Sequence, residues 1–426
     1  WSVNAFSCKP GYTGCSFTSS VIIKRIYINT RTVIIVGSTF YNEVLMKVLY
    51  CSWYENSKKD MVKALDTLAD EVFVIEHSVK EYIGDNKEIE YEVIDILANG
   101  IDVVISFDFL PMLSDICSNY GVTYISWIYD WPNYTLFSKA IYNKCNKVYL
   151  FERDGIKLLS KYGIGNMQYA SLAVDTDRLD RQLGKDIDNT SYEYDISFVG
   201  NMNPNLKSVL MNKDVPSYYE GYINGLANAQ QKIYGYNIIN DIIDDEFVDK
   251  YLYAACADMD NIAVPHEHVM ASQINKYVTG VERVNLLRKI ADKCMVDIFT
   301  GSGDLDIANA DIHSGVDYYS EMPVIFRKSR INLNITLRSI TTGIPLRVYD
   351  ILGAGGFCLT NYQEDIEQLF KNGEELVMFT DENDMLNKID YYMCHEKERM
   401  EIAVNGHRAV KKFDYIYVLK HILGVD

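Results

Sequence analysis

From residue 47 onward, short apolar runs alternate with stretches whose apolar positions recur at helical spacing. Residues 47–51, 71–75, 103–106, 123–128, 148–151 and 168–171 read as strands. Between them, 57–68 carries Met61, Leu65 and Leu68 on one helical face, and 89–99 and 111–119 also read as helices. Repeated strand–helix units imply a parallel sheet covered on both faces, a Rossmann-like half. The polar stretch 173–195 has no such period and is taken as the boundary between domains. A second strand–helix series opens with a strand in 195–201 and resumes at 295–299, running to about Tyr391. Between these, 205–293 shows helical spacing only (Ile238, Ile239, Ile242 and Ile243, then Phe247, Val248, Tyr251 and Leu252), which predicts a helical insertion. The last segment, 409–423, is again helical. The predicted division is therefore 1–45 as an extension, 46–190 and 191–408 as two Rossmann-like domains, and 409–426 as a terminal helix.

Residues 1–45 have no clear period and begin without Met, whereas Met46 stands at the natural beginning of a first strand. The expectation is that Met46 is the true start. The alternative is an authentic extension that adds an edge strand through 33–36.

The most informative stretch is 329–362. Ile331, Leu333 and Ile335 alternate as in a strand, and a polar loop covers 336–343. Pro345 then suits the first turn of a helix that runs to about Leu352. The helix stops in Gly353-Ala354-Gly355-Gly356, and 357–360 reads as a buried strand. In such βαβ units, ligands gather at the carboxyl ends of strands, where helix N-termini offer N–H groups to anions. Arg338 and Arg347 add cationic donors suited to phosphate. Asp350, three residues after Arg347, shares its helical face. From this chemistry alone, phosphate binding and an ordinary Arg–Asp surface pair both stay open, because neither a P-loop nor GxGxxG is present.

Composition narrows the class. The 426 residues are 48% apolar and 23% charged, which suits a globular chain of two to three domains. A formal charge of −18 argues against binding a nucleic-acid backbone, while local arginines can still hold a small anion. Nine scattered cysteines without a CxxC pair suggest free thiols in a reducing compartment. With no long apolar run and no visible secretory signal, a cytoplasmic protein is expected, and peripheral contact with a membrane stays open. Pro265-His266-Glu267-His268 lacks a spaced third ligand, and there is no DxD pair, so no metal is expected.

The 329–362 stretch resembles the donor-binding segment of GT-B glycosyltransferases, in particular the C-terminal module of spore-maturation-type glycosyltransferases. The likeness continues through Asn361-Tyr362-Gln363, Leu369-Phe370, Gly373-Glu374-Glu375, His395-Glu396, Ile402-Ala403 and Asn405-Gly406. It implies two Rossmann-like domains facing a cleft, with the terminal helix crossing back onto the first. It also implies a UDP- or GDP-linked sugar as donor, no other cofactor, and a protein, polysaccharide or other glycan as acceptor, in the manner of bacterial cell-surface glycan biosynthesis. By that resemblance Gly200, Asn201, Gly301 and Ser302 face the donor. Tyr318 or Tyr319 either stacks on the base or is a core tyrosine, and Thr342, Gly343, Ile344 and Pro345 line the donor loop. Arg338 and Arg347 neutralise the diphosphate. Two glutamates eight positions apart in retaining relatives align with Thr342 and Asp350. Asp350 keeps a carboxylate for ribose hydroxyls and Thr342 does not, so the stereochemical outcome stays open.

On the first domain, Ser126-Trp127-Ile128-Tyr129-Asp130-Trp131-Pro132 leaves a strand toward the cleft. Asp130 is the expected base for the acceptor hydroxyl, with Asp108 behind it. The alternative is a structural Asp that caps the turn before Pro132. Two other functions stay open: a non-catalytic nucleotide- or glycan-binding protein of the same fold, and an unrelated doubly wound enzyme such as a dehydrogenase, disfavoured by the missing GxGxxG.

Overall fold

The computed structural model describes residues 23–28, 31–36, 39–43, 46–83, 86–187, 191–202, 216–254, 264–302 and 305–425. The chain forms two compact units, 1–46 and 47–426. In the first, β1 (Ile23–Ile28), β2 (Arg31–Val36) and β3 (Thr39–Glu43) make an antiparallel meander, with Ile23 opposite Val36 and Thr32 opposite Glu43. The strand expected at 33–36 is thus the middle strand of a separate small sheet, not an added edge.

The second unit rests on two six-stranded sheets, each wholly parallel. The first holds β4 (Lys47–Ser52), β5 (Glu71–Glu76), β6 (Val103–Phe107), β7 (Thr123–Ile128), β8 (Asn146–Leu150) and β9 (Met167–Tyr169), in the order β5-β4-β6-β7-β8-β9. The second holds β10 (Tyr194–Val199), β11 (Val296–Phe299), β12 (Ala310–His313), β13 (Ser329–Asn334), β14 (Cys358–Asn361) and β15 (Val377–Phe379), in the order β12-β11-β10-β13-β14-β15. Helices cover both sheets, which is why central strands such as β4, β6 and β7 are apolar on both faces. Local signals set the helix ends. Pro111–Tyr120 has its proline in the first turn and stops at Gly121, whose φ of 69° is the left-handed conformation glycine adopts freely.

Two segments depart from expectation. Within 173–195 lies the helix Thr176–Leu183, capped by the Asp175 carboxylate on the N–H of Arg178. With only Leu179 and Leu183 apolar, it carries too little period to read. The final stretch is also not one helix. Glu396–Val410 ends in a short 3-10 turn, and Tyr415–Leu423 follows as a separate helix capped by Asp414.

The insertion between β10 and β11 contains the helices Ser217–Gln230, Asp245–Ala254 and His266–Ala291, which share a core of Ile223, Ile239, Val248, Tyr251, Ile274 and Val278. The helix Tyr415–Leu423 lies against the lobe built on the first sheet. Its Tyr415 ring meets Trp127 at 5.9 Å, and the Tyr149 hydroxyl donates to the Ile422 carbonyl. A continuous apolar core joins the two lobes, with Trp131, Phe151 and Val174 of the first packed with Ile344, Val348 and Tyr349 of the second.

Candidate functional site

The loops that leave the carboxyl ends of β7 and β8 meet the loop that leaves β13, where the Trp131 indole donates to the Ser339 carbonyl and Glu152 accepts from Thr342. Asp108, immediately after β6, holds a φ of 55°, an uncommon conformation for a residue with a Cβ. The bend turns its carboxylate back onto the next loop, where it accepts the N–H groups of Tyr129 (3.0 Å) and Asp130 (3.1 Å). The turn before Pro132 is therefore capped by Asp108. No hydrogen bond engages the Asp130 carboxylate among the described residues. Burial, and then the charge of Asp130, push the buried Asp108 up to about 7. Asp130 is open to water yet crowded on its other sides; desolvation raises its carboxyl, and Lys276 opposes the rise. Two like charges with raised proton affinity thus stand side by side on one wall.

On the opposite wall, Gly200 follows β10 and donates its N–H to the Phe299 carbonyl, while a Cβ there would lie 3.1 Å from the Phe198 ring. Ser302 ties this loop to the one after β11, since its hydroxyl accepts the N–H of Met202 at 2.8 Å. Gly301 and Asn201 are exposed beside it. Lys207 of the same segment lies outside the described residues.

The cation at this wall is one the sequence pattern does not single out. Arg283, on the helix His266–Ala291, donates from Nη1 to the Asn201 carbonyl (2.6 Å) and from Nε and Nη2 to the Ile335 carbonyl (3.1 and 2.6 Å). Three of its five N–H groups are spent in bracing the two loops, which leaves two to face a ligand. Burial pushes it down to about 10, with the nearby charge of Arg347 adding to the fall, so it stays protonated at neutral pH. Lys276, seven residues earlier, lies on the same helical face. The helical spacing that marks this segment as scaffold also conceals what its polar face offers.

Arg338 sits elsewhere than expected. Its side chain is buried against Glu282 (Nε to Oε2, 2.7 Å), donates to the carbonyls of Ile233 and Gln231, and lies 4.0 Å over the Tyr234 ring. With its donors engaged behind the loop, it braces the loop against the insertion rather than facing a phosphate. Arg347 remains half-buried, with Nη1 3.4 Å from Asp350 and in contact with the Met322 sulfur. Asp350 is buried and accepts the Tyr318 hydroxyl at 3.0 Å. Burial lifts its carboxyl to about 6, against the pull of Arg347. Tyr318 is thus committed to Asp350 and packed edge-on to Tyr319, an arrangement unlike the expected stacking platform. Tyr319 is covered in turn by Lys59 and Arg178.

Thr342 and Gly343 meet the other lobe directly. The Glu152 carboxylate, fully buried at the end of β8, accepts the Gly343 N–H (2.7 Å), the Thr342 N–H (3.2 Å) and the Thr342 hydroxyl (2.9 Å). Ile344 is buried beneath them, and Pro345 precedes the helix Leu346–Gly353.

His268 is packed among the rings of Trp131, Tyr134 and Phe137, and burial pushes it down to about 4, which makes it a neutral core histidine. Among the described residues no group of three His, Cys, Asp or Glu is arranged to hold a metal ion. Among the described residues no helix is long and apolar enough to cross a membrane. A cavity of about 820 Å³ opens behind the insertion helix, beside Gln231, Glu282 and Lys289. Between the lobes, the space beside Trp131, Glu152 and Ser339 is only about 40 Å³.

Residues 283–424 match the family model described as "Glycosyl transferase-like". No curated protein matches the chain. Among solved structures, HepE of Anabaena in complex with UDP and glucose superposes with a TM-score of 0.51 at 9% identity, over 89% of this chain and 99% of that one. Sucrose-phosphate synthase of Thermosynechococcus elongatus gives 0.50 at 7% identity, over 89% and 98%. The fold is GT-B, with two parallel α/β sheets facing each other across their carboxyl ends.

Proposed function

We propose that the protein is a glycosyltransferase that moves a sugar from a nucleotide-sugar, UDP- or GDP-linked, to a hydroxyl of a glycan or protein acceptor. The observation that carries this reading is the GT-B fold, which bears an open carboxylate, Asp130, after a strand of its first sheet and two neighbouring cations, Arg283 and Arg347, on its second lobe. In the proposed reaction the donor diphosphate lies against Gly200, Asn201 and Gly301, with Arg283, Arg347 and the first turn of Leu346–Gly353 opposing its charge. Asp350 takes the ribose hydroxyls, exchanging its bond from Tyr318. The bond from the sugar's anomeric carbon to the leaving phosphate oxygen breaks, and a bond to the acceptor oxygen forms. In a single inverting displacement the acceptor proton passes to Asp130, which desolvation makes a stronger base than a free carboxylate. Positioning two substrates in a closed cleft supplies much of the rest. We place this chemistry in the cytoplasm, in the assembly of cell-surface glycans of the spore-maturation type.

The test is thermal unfolding with UDP, GDP, CMP and NAD, on the parent and on Arg283→Ala and Arg347→Ala. A nucleoside diphosphate at about 100 times its dissociation constant stabilises the parent by roughly 2.7 kcal/mol and stabilises each variant less. A shift with NAD alone overturns the transferase reading. The occupied amides of Thr342 and Gly343 favour one second reading, a non-catalytic nucleotide-binding member of the fold; nucleotide binding without turnover on any acceptor would support it.

A further inference from the structure

Resting on the transferase reading, we propose that Glu152 is a positioning residue for the donor loop: from the opposite lobe it supplies the carboxylate that the loop lacks at Thr342. The loop Thr341–Gly343 has no acid of its own, yet its donors converge on one. The Glu152 carboxylate accepts two consecutive backbone N–H groups, of Thr342 and Gly343, together with the Thr342 hydroxyl. The Thr341 hydroxyl, 3.0 Å from Glu152, is shared with Asp154 at 2.9 Å. The Thr342 hydroxyl accepts in turn the Arg153 N–H at 3.1 Å, so the loop and the first turn of the helix Arg153–Lys161 hold one another.

The chemistry is that of an oriented cradle rather than an ion pair. The cation nearest in sequence, Arg153, is engaged with Asp365 at 2.9 Å, and the hydrogen bonds to Glu152 come from neutral donors of the loop. If the contact served only to join the lobes, apolar side chains would do so without the cost of burying a carboxylate. Gly343 is fitted to the arrangement: a Cβ there would lie 2.6 Å from the Phe151 carbonyl and 2.9 Å from Glu152 Oε2. The backbone of 342–343 leads directly into the helix turn proposed to face the diphosphate. Its orientation is therefore set from the other lobe.

The test compares Glu152→Gln with Arg153→Ala, which breaks a cross-lobe ion pair but leaves the loop amides on Glu152. The readouts are amide hydrogen exchange at 341–343 and the affinities for UDP-glucose and UDP by calorimetry. Glu152→Gln is expected to speed exchange at 342 and 343 at least tenfold and to weaken UDP-glucose at least tenfold, and Arg153→Ala to change either by less than threefold. Parental exchange in Glu152→Gln, or equal effects in the two variants, overturns the proposal. If Glu152→Gln does not fold, Glu152→Asp, one methylene short, is read by the same two measures and must speed exchange. Should the parent bind neither probe, the nucleotide reading fails for UDP, and the exchange comparison alone decides whether Glu152 holds the loop.

Discussion

Asp130 is an open carboxylate, and the buried Asp108 beside it accepts its backbone N–H. Asp130→Asn keeps the size of the side chain and removes its basicity, so turnover should fall by about 10²–10⁴-fold with little change in unfolding midpoint. Activity of the parent should rise with pH along a limb that lies above the range of a free carboxylate, because the base works only when deprotonated and desolvation makes Asp130 hold its proton more tightly. Asp108 carries an opposite consequence for stability. Its folded proton affinity exceeds the unfolded one, so its ionisation destabilises the fold increasingly as pH rises through about 7. Asp108→Asn should therefore raise the unfolding free energy at pH 8, by roughly 2–4 kcal/mol, with the gain shrinking toward pH 4; denaturant titration at both values checks this. Asp130 was legible because it follows an apolar strand and precedes Pro132. Arg283 was not, since nothing local distinguishes it from the other charged positions of a long helix. The burial of Arg338 was equally hidden, because its partner Glu282 lies 56 positions away in a segment with no strand pattern.

Among the elements, the alternating strands and helices of the two sheets can be read to within a residue or two. β7 spans the anticipated 123–128, and β4 and β5 each run one residue further. Apolar strands buried on both faces leave a dense signal. The helix Thr176–Leu183 leaves almost none, because it is held largely by charge: Arg178 pairs with Asp60, and Asp180 with Lys411, while the neutral His407 ring lies 2.9 Å from Asp180. Gly406, quoted above as part of a motif, has a plain packing reason. A Cβ there would lie 2.2 Å from the Glu375 carbonyl and 2.8 Å from Leu352, so the helix Glu396–Val410 can approach that loop only without a side chain. Gly406→Ala should lower stability by about 2 kcal/mol or more, despite alanine's better helix propensity, as a drop in unfolding midpoint would record.

For the whole second unit, the two lobes share one apolar core and are pinned at β8, at the donor loop and by the last helix. Removing residues 412–426 strips Tyr415, Val418, Leu419, Ile422 and Leu423 from that packing. At about 1.5–3 kcal/mol for each large buried side chain, the loss rivals the whole stability of an ordinary domain. The shortened chain should bind a hydrophobic dye and unfold without a sharp transition. The same helix bears on the order of events during synthesis. β4 and its neighbours leave the ribosome well before this helix, and the groove between Trp127 and the helix Lys58–Leu68 stays uncovered until Tyr415 arrives, 288 positions after Trp127. At 5–20 residues per second that interval is roughly 15–60 s. For that time the earlier-made of the two lobes waits, unfinished and open to chaperones, for the helix that completes it.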